Sequence, residues 1–204
     1  MTDPDKNPAA GLQRCDWAGE DPIYQKYHDE EWGVPEWDRI RLFEMLLLEG
    51  AQAGLSWITV LKKRQRYREV FHGFEPERVA AMTLEEQQTA LKDPGIIRNR
   101  LKVAAFVNNA QALLKLEADI STSFADWLWE TVGGVPRVNN FATMAEVPAS
   151  TPESDQLSRR LKRAGFKFVG TTICYAFMQA TGMVNDHLTS CFRHPQNLDR
   201  EEFS

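Results

Sequence analysis

The sequence predicts an all-α protein, and three observations support this fold class. Apolar residues recur at helical spacing, helix-start signals appear along the chain, and no segment alternates apolar and polar residues as a half-buried strand does. Of the 204 residues, 43% are hydrophobic and 26% are charged, which is typical of a globular protein with a buried core. We expect roughly eight to ten helices.

Local signals place several of these helices. Thr83 and Glu86 form a capping box at one helix start, and Thr151-Pro152 places a proline at the first position of another. The triplet Asp93-Pro94-Gly95 predicts a turn ahead of a long helix. One face of that helix is expected to carry Ile96, Val103, Val107, Ala110 and Leu114.

The sequence predicts one domain over residues 14–194, with a disordered leader at 1–13 and a polar tail at 195–204. No stretch approaches the run of about 18 apolar residues that a membrane-spanning helix needs, and the first residues lack the features of a signal peptide. With three cysteines, we expect a cytoplasmic protein without disulfides. We also expect a monomer that does not associate with membranes.

The charge is unevenly distributed. The net charge is −5, but the excess of acid lies within residues 1–38, so the rest of the chain is slightly basic. Two acid-free runs, Leu61–Arg68 and Ser158–Lys167, each carry five Lys or Arg residues. Such runs are typical either of solvated helix faces or of surfaces that contact nucleic acid.

Four residues form a candidate metal site. His187 and Cys191 lie four residues apart, on one face if that segment is helical, and Cys15 and His28 lie near the N-terminus. Two cysteines and two histidines suit a tetrahedral Zn²⁺ with no open position. On spacing alone, scattered core or surface residues remain the favoured interpretation.

A glycine-containing hairpin joins two helical patterns near the C-terminus. The basic helix is expected to end at Gly165, and a new helix to open at Gly170-Thr171-Thr172. Glycines permit close backbone approach, and free amides at a helix start bind phosphate. The pattern alone is also typical of an ordinary helix–turn–helix connection.

Three longer segments carry the most specific signal: YQKYHDEEWG (residues 24–33), LFEMLLLEGAQAGLSWITVLKKR (42–64) and GFKFVGTTICYAFMQATGMVNDH (165–187). They resemble the 3-methyladenine DNA glycosylase I family, a branch of the helix-hairpin-helix DNA glycosylases, and the resemblance covers residues 14–194. It implies a helix-hairpin-helix glycosylase fold. It also implies excision of 3-methyladenine from double-stranded alkylated DNA, leaving an abasic site and the free base.

The same resemblance implies roles for the candidate metal residues. Cys15, His28, His187 and Cys191 would hold one structural zinc ion per chain. The N- and C-terminal segments would then form a zinc-bearing part, and the middle helices with the hairpin at 165–170 would form the DNA-binding part.

Aromatic residues in the N-terminal half are candidates for a base pocket. A base inside a duplex must be flipped out to reach an enzyme pocket, and aromatic faces attract a cationic base. By resemblance, Trp57 and Tyr27 are the expected stacking walls, with Tyr24 and Trp17 nearby. Core packing is the alternative for each aromatic residue, and we expect Trp32 to be core.

Glu49 is the expected catalytic and base-binding residue. If residues 40–50 are helical, Glu49 shares a face with apolar residues, where an unpartnered carboxylate is costly. A surface position at the helix end is the alternative. The resemblance places Glu49 in the base pocket, where it would accept hydrogen bonds from the adenine edge and favour positive charge.

The resemblance also suggests DNA contacts. Leu55 would fill the gap left by the flipped nucleotide, although inward packing is nearly as plausible. The main-chain amides of the hairpin, at Gly165, Gly170 and Thr171, would hold phosphates with help from Lys167.

Two departures from the wider superfamily bear on the mechanism. Other members carry an aspartate two residues before a histidine, where this chain has Asn185; Asp186, if helical, would face about 100° away. The lyase branch carries a lysine just after the hairpin, where this chain has Gly170–Ile173, so we expect a monofunctional glycosylase.

Two alternative functions are a zinc-stabilised DNA-binding module without catalysis and a zinc hydrolase, which would need an open metal position.

Overall fold

The computed structural model describes residues 12–198, and in that range the chain is mainly helical, as expected. Its α-helices are α1 (Pro22–Glu30), α2 (Arg39–Gln52), α3 (Trp57–Leu61), α4 (Arg64–Val70), α5 (Pro76–Ala80), α6 (Leu84–Ala90), α7 (Arg100–Asp119), α8 (Phe124–Trp129), α9 (Pro152–Arg163) and α10 (Thr171–Ala180). None of these helices is long and apolar enough to cross a membrane. Residues 1–11 of the expected leader and 199–204 of the expected tail lie outside the described residues.

Two short strands depart from the purely helical prediction. β1 (Arg137–Val138) pairs in parallel with β2 (Val184–Asn185), with Arg137 opposite Val184. Each strand has two residues, too few to produce a visible alternation of apolar and polar residues. The pairing makes residues 184–185 extended, and residues 186–194 form loop and turn, so His187 and Cys191 do not lie on a helical turn.

The local start signals are largely confirmed. Thr83 and Glu86 form the capping box of α6, and Thr151 caps α9 with proline at the first helical position. The long helix α7 begins at Arg100, later than predicted, because the Asn99 side chain accepts hydrogen bonds from the first-turn amides. Ile96 is buried but lies in the preceding turn, so it does not belong to the helix face.

Helix α2 lies in the centre of the core. Residues 42–51 are all buried, including the polar Glu44 and Glu49, and α2 packs against α3, α7, α8 and α10. A helix buried on every side turns any polar side chain in that stretch toward the interior. Glu44 pairs with Arg64 and Arg68, whereas Glu49 has no such partner.

Helices α9 and α10 pack against each other and are joined by residues 164–170, the α9–α10 connection. Gly165 adopts φ +93°, a conformation that favours glycine. Asn109 of α7 holds the connection: its Oδ1 accepts from the Lys167 amide at 2.7 Å, and its Nδ2 donates to the Lys167 carbonyl at 3.0 Å. The shape of the connection is therefore set partly by α7.

The ends of the described chain meet. The Phe192 amide donates to the Gln13 carbonyl at 2.8 Å, and Arg14 pairs with Asp29 of α1. The C-terminal segment here is loop and 3₁₀ turn (Pro195–Asn197), so the N-terminal segment packs against a loop and not against the C-terminal helix that the sequence suggested.

Candidate functional site

An aromatic cavity of about 190 Å³ lies between the N-terminal segment, α2, α3 and α10. It is lined by Trp17, Tyr24, Tyr27, Trp32, Glu49, Gln52, Trp57, Met144, Ala176 and Gln179. The five aromatic residues singled out from the sequence are therefore brought together. Trp32 is buried, as expected of a core residue, and it also lines the cavity.

The aromatic side chains of the cavity support one another. The ring centroids of Trp17 and Tyr24 are 4.9 Å apart, as are those of Trp17 and Trp32. Tyr27 and Trp57 approach to 5.3 Å with ring planes inclined by 49°. Tilted contacts at this spacing are favourable for aromatic pairs, so the walls are fixed before any ligand enters.

Glu49 is the unusual polar group of the cavity. It is 3% exposed, and its Oε2 is buried without a hydrogen-bond partner among the described residues. Burial raises the pKa of the Glu49 carboxyl to about 8, because the charged form loses hydration. The surface position considered from the sequence is wrong. A buried carboxyl without a partner is expensive, which marks a functional site.

Two indole N–H groups beside the cavity also lack hydrogen-bond partners. Nε1 of Trp17 and Nε1 of Trp57 are buried and have no acceptor within the described residues. Buried donors are normally hydrogen bonded. The cavity therefore offers unused donors as well as an unused carboxyl group, the combination that a polar ring compound can satisfy.

A groove of about 340 Å³ adjoins the aromatic cavity. Glu49, Gln52 and Ala176 line both spaces, and the groove is flanked by Leu55 on one side and Thr172 on the other. Leu55 is 41% exposed, so the inward packing considered as an alternative does not occur. The groove links the cavity to the surface between the α2–α3 loop and the start of α10.

The amides of the α9–α10 connection differ in availability. The Gly165 amide donates to the Lys162 carbonyl, and the Lys167 amide donates to Asn109, so neither is available. In the described part of the chain, the amides of Gly170, Thr171 and Thr172 donate to no protein acceptor. The unused donors thus lie at the start of α10, beside the groove.

The first basic run is engaged within the protein. Lys62 pairs with Asp21, Lys63 donates to the Pro94 carbonyl, Arg64 pairs with Glu31 and Glu44, Arg66 with Glu69 and Asp93, and Arg68 with Glu44. This run is neither a simple solvated face nor a set of unpaired cations.

The second basic run differs from the first. Arg160 pairs with Glu130 and lies over the Trp127 ring. Its neighbours Arg159, Lys162, Arg163 and Lys167 have no ion pair among residues 12–198. Four of the five cations of this run are therefore without an ion pair in the described chain, on α9 and on the connection that leads to α10.

Cys15, His28, His187 and Cys191 form a buried cluster whose ligand atoms all lie within 4.8 Å of one another. Sγ of Cys191 lies 3.4 Å from Nε2 of His28 and 3.4 Å from Nδ1 of His187, and Sγ of Cys15 lies 3.7 Å from Nδ1 of His187. Two thiols and two imidazoles converging in this way can hold a metal ion. The loop geometry brings His187 and Cys191 together without the helical turn that the sequence suggested.

The surroundings of the cluster orient its ligands. Nδ1 of His28 contacts Asp29 at 2.8 Å, and Nε2 of His187 contacts the Trp32 carbonyl at 2.9 Å. Such contacts leave the other ring nitrogen for a metal. A hydrogen bond from the Cys15 thiol lowers the pKa of Cys191 well below its usual range, which favours the thiolate that binds metal.

Asp186 differs from its sequence interpretation. The residue is not helical, and its fully buried carboxylate accepts from Tyr175 Oη at 2.6 Å, Gln179 Nε2 at 2.8 Å and Asn139 Nδ2 at 2.6 Å. It is therefore held by the protein and does not line the cavity.

Four cavity residues were not identified from the sequence: Gln52, Met144, Ala176 and Gln179. Gln52 lies one turn after Glu49 on α2, so helical spacing from Glu49 gave a usable signal. Met144 comes from a 3₁₀ turn (Met144–Glu146) in a long loop, where no periodic pattern indicates its position.

The chain is similar to known proteins. A family model described as methyladenine glycosylase matches residues 17–194. The chain is 54% identical over 186 residues to DNA-3-methyladenine glycosylase 1 of Escherichia coli, covering 91% of this chain and 99% of that protein. It is 50% identical over 178 residues to DNA-3-methyladenine glycosylase of Haemophilus influenzae, covering 87% of this chain and 96% of that protein.

Solved structures agree with the sequence relatives. A crystal structure of 3-methyladenine DNA glycosylase I superposes with a TM-score of 0.88 at 57% identity, covering 90% of this chain and 100% of that chain. A structure of the Staphylococcus aureus enzyme, described as showing the basis of 3-methyladenine recognition, gives a TM-score of 0.86 at 39% identity, covering 90% of this chain and 97% of that chain. Because the family model spans most of the chain and these relatives match nearly end to end, the chain belongs to the methyladenine glycosylase family.

Proposed function

We propose that this glycosylase excises 3-methyladenine from alkylated double-stranded DNA by hydrolysing the N-glycosidic bond. The products are an abasic site and the free base. The proposal is supported by the buried Glu49 carboxyl, which has no hydrogen-bond partner among residues 12–198 and lies in a cavity walled by aromatic rings. Such a group is destabilising unless a ligand completes its hydrogen bonds, and a flipped purine is a ligand that does so.

The groove beside the cavity supports a flipping step. A base stacked in a duplex is inaccessible, so the damaged nucleotide must leave the stack. Leu55 is exposed at the mouth of the groove, and we propose that it fills the gap that the nucleotide leaves. The extruded nucleotide then passes along the groove toward Glu49.

The cavity suits a cationic base. Methylation at N3 gives the purine a positive charge while it remains attached to the sugar. The faces of Trp57 and Tyr27 attract a cation, more strongly where water is excluded, and Trp17 and Tyr24 complete the aromatic surface. The Staphylococcus aureus relative, described by its recognition of 3-methyladenine, is consistent with this ligand.

Glu49 is the proposed catalytic residue. The cationic base favours ionisation of its carboxyl, which then accepts a charge-assisted hydrogen bond. As the C1′–N9 bond breaks, its electron pair neutralises the departing base, a water molecule adds to C1′, and the excess proton passes to solvent. Because the leaving group is already activated, positioning and charge stabilisation carry the reaction, and a strong general base is not required.

Two observations support a monofunctional enzyme. Thr172 stands at the start of α10, where the lyase branch carries a lysine. The buried Lys102 has a pKa lowered by loss of hydration, but its Nζ donates to the carbonyls of Ala51 and Ala53 at 2.7 Å and does not line the cavity. Neither position offers a nucleophile for a Schiff base.

The DNA backbone is proposed to lie along α9 and the start of α10. The unused amides of Gly170 and Thr171 are suited to phosphate, with Lys167 nearby, and Gly165 permits the tight turn that positions them. We assign α9, the connection and α10 to the helix-hairpin-helix class on this basis. Phosphate contacts fix the register of the protein on DNA and carry no sequence information.

The metal cluster is proposed to hold one structural Zn²⁺. With Zn–S of about 2.3 Å and Zn–N of about 2.0 Å, a tetrahedral zinc holds its ligand atoms roughly 3.3–3.8 Å apart. Three of the sulfur–nitrogen separations, at 3.4, 3.4 and 3.7 Å, fit that range, and all four ligand atoms lie within 4.8 Å of one another. Four protein ligands leave no open position, so the ion would tie the ends of the domain together and take no part in hydrolysis.

The test is direct. The protein is incubated with duplex DNA treated with a methylating agent, and the released bases are separated by chromatography. We expect free 3-methyladenine to appear with time. DNA binding without base release would instead identify the chain as a zinc-stabilised DNA-binding module.

A further inference from the structure

We propose that Gln179 reads the 6-amino group of the extruded base, and that Asp186 is a positioning residue that holds the Gln179 amide for this purpose. The inference rests on the proposed function, because it assumes that the base occupies the aromatic cavity. Gln179 lies on α10 and lines that cavity, opposite the wall supplied by α2.

The hydrogen bonds of Asp186 fix the orientation of Gln179. Carboxylate oxygens accept hydrogen bonds, and the group that Gln179 turns toward Asp186 is its NH₂. Nε2 donates to Asp186 Oδ2 at 2.8 Å. Tyr175 and Asn139 donate to the same carboxylate, which holds it in place.

A fixed NH₂ group also fixes the carbonyl oxygen at the other end of the amide. Within the described residues, Oε1 of Gln179 accepts no hydrogen bond, although Nε2 is bonded. Gln52 also presents an amide to the cavity, but within residues 12–198 no hydrogen bond holds that side chain. Of the two amides, only Gln179 is fixed by the protein as an acceptor.

The number of acceptors matches the chemistry of adenine. The N–H donors of 3-methyladenine in DNA are the two hydrogens of its 6-amino group. Glu49 and Gln179 supply two acceptors to one cavity, one for each hydrogen. A base with a 6-oxo group would instead set an oxygen against the Gln179 oxygen, and an unpaired buried acceptor is costly.

Two free bases that differ at this position test the inference. The full chain is titrated at one pH with 3-methyladenine and with 3-methylhypoxanthine, which carries oxygen in place of the 6-amino group. We expect wild type to favour 3-methyladenine. In Gln179→Met, which keeps the length of the side chain, affinity for 3-methyladenine should fall roughly three- to tenfold, while affinity for 3-methylhypoxanthine stays within about twofold.

Further variants separate reading from packing. Asp186→Asn should reduce the preference in the same direction, because its side chain no longer presents only acceptors to Gln179. Tyr175→Phe keeps the carboxylate and should leave the preference unchanged. Gln52→Met removes an amide that no protein hydrogen bond fixes within the described residues. It should change the affinities for 3-methyladenine and 3-methylhypoxanthine by the same factor. Metal content is measured in each sample, because Asp186 precedes His187.

The outcomes are distinct. If Gln179→Met lowers both affinities equally, or neither, Gln179 does not read the 6-position and the inference is wrong. That result remains decisive if Asp186→Asn does not fold. If wild type binds neither base and releases none from methylated DNA, the proposed function itself fails.

Discussion

The ring of Trp17 lies 5.2 Å from the ring of His28, centroid to centroid, so the wall of the aromatic cavity contacts the metal cluster. Trp32 lies 4.7 Å from His187 in an edge-on contact. Two of the cavity aromatics therefore rest directly on two of the candidate ligands. The cluster and the cavity should respond together when either is changed.

Removal of the metal should weaken both folding and base binding. If the cluster holds zinc as proposed, Cys191→Ser should lose the ion and lower the free energy of unfolding by several kcal/mol, because metal binding and folding are coupled. Its affinity for 3-methyladenine should also fall. Elemental analysis, denaturant unfolding and base titration measure the three effects. Cys174→Ala is the matched control, because Cys174 is buried outside the cluster and should leave the zinc bound. A folded, active preparation of wild type without zinc would contradict this account.

Glu49 should make stability depend on pH in a defined direction. Burial raises its pKa to about 8, above the value near 4.3 expected in the unfolded chain. The folded state therefore binds the proton more tightly, and the cost of the buried charge grows as pH rises between these two values and is complete above about pH 8. We expect Glu49→Gln to have little effect below about pH 4 and to stabilise the protein by about 5 kcal/mol above about pH 8. Unfolding measured across this range checks the prediction, and a pH-independent difference would show it to be wrong.

The two basic runs should differ in their effect on DNA binding. Replacing Arg163 and Lys167 together by glutamine should weaken binding to duplex DNA and reduce the slope of log affinity against log salt by roughly 1–2. Arg66→Gln is the control, because Arg66 is engaged with Glu69 and Asp93. Equal effects of the two changes would place the phosphate contacts elsewhere.

No covalent protein–DNA intermediate should form. Borohydride added during turnover reduces a Schiff base to a stable adduct, so its absence is expected from the lack of a suitable lysine near Thr172. Electrophoresis of the treated reaction detects any adduct. A trapped species, or strand cleavage without added base or heat, would reveal lyase activity.

The helices and their start signals were predictable because capping and periodicity are local properties of the chain. Thr83 and Thr151 cap the helices they were expected to cap. The burial of Glu49 was also predictable, since helical spacing placed it on an apolar face. The four candidate ligands could be named from their residue types, but their convergence rested on the resemblance, because residues near the two ends of the chain carry no local sign that they meet.

Long-range hydrogen bonds were not predictable from the sequence. Nothing near Asp186 indicates that Tyr175, Gln179 and Asn139 converge on it, and the two-residue strand that makes the segment extended leaves no pattern. The ion pairs of the first basic run were also not predictable, because the acidic partners, such as Glu44 and Asp93, come from other helices and turns.

Glu49→Ala is the sharpest test of whether Glu49 holds the flipped base. A charge-assisted hydrogen bond contributes about 1.5–3 kcal/mol, so affinity for free 3-methyladenine should fall roughly ten- to a hundredfold, with slower excision from methylated DNA. Binding to DNA that contains an abasic analogue should change much less, because the backbone contacts remain. If Glu49→Ala binds the free base and excises it as wild type does, the base is held elsewhere and the account of this site is wrong.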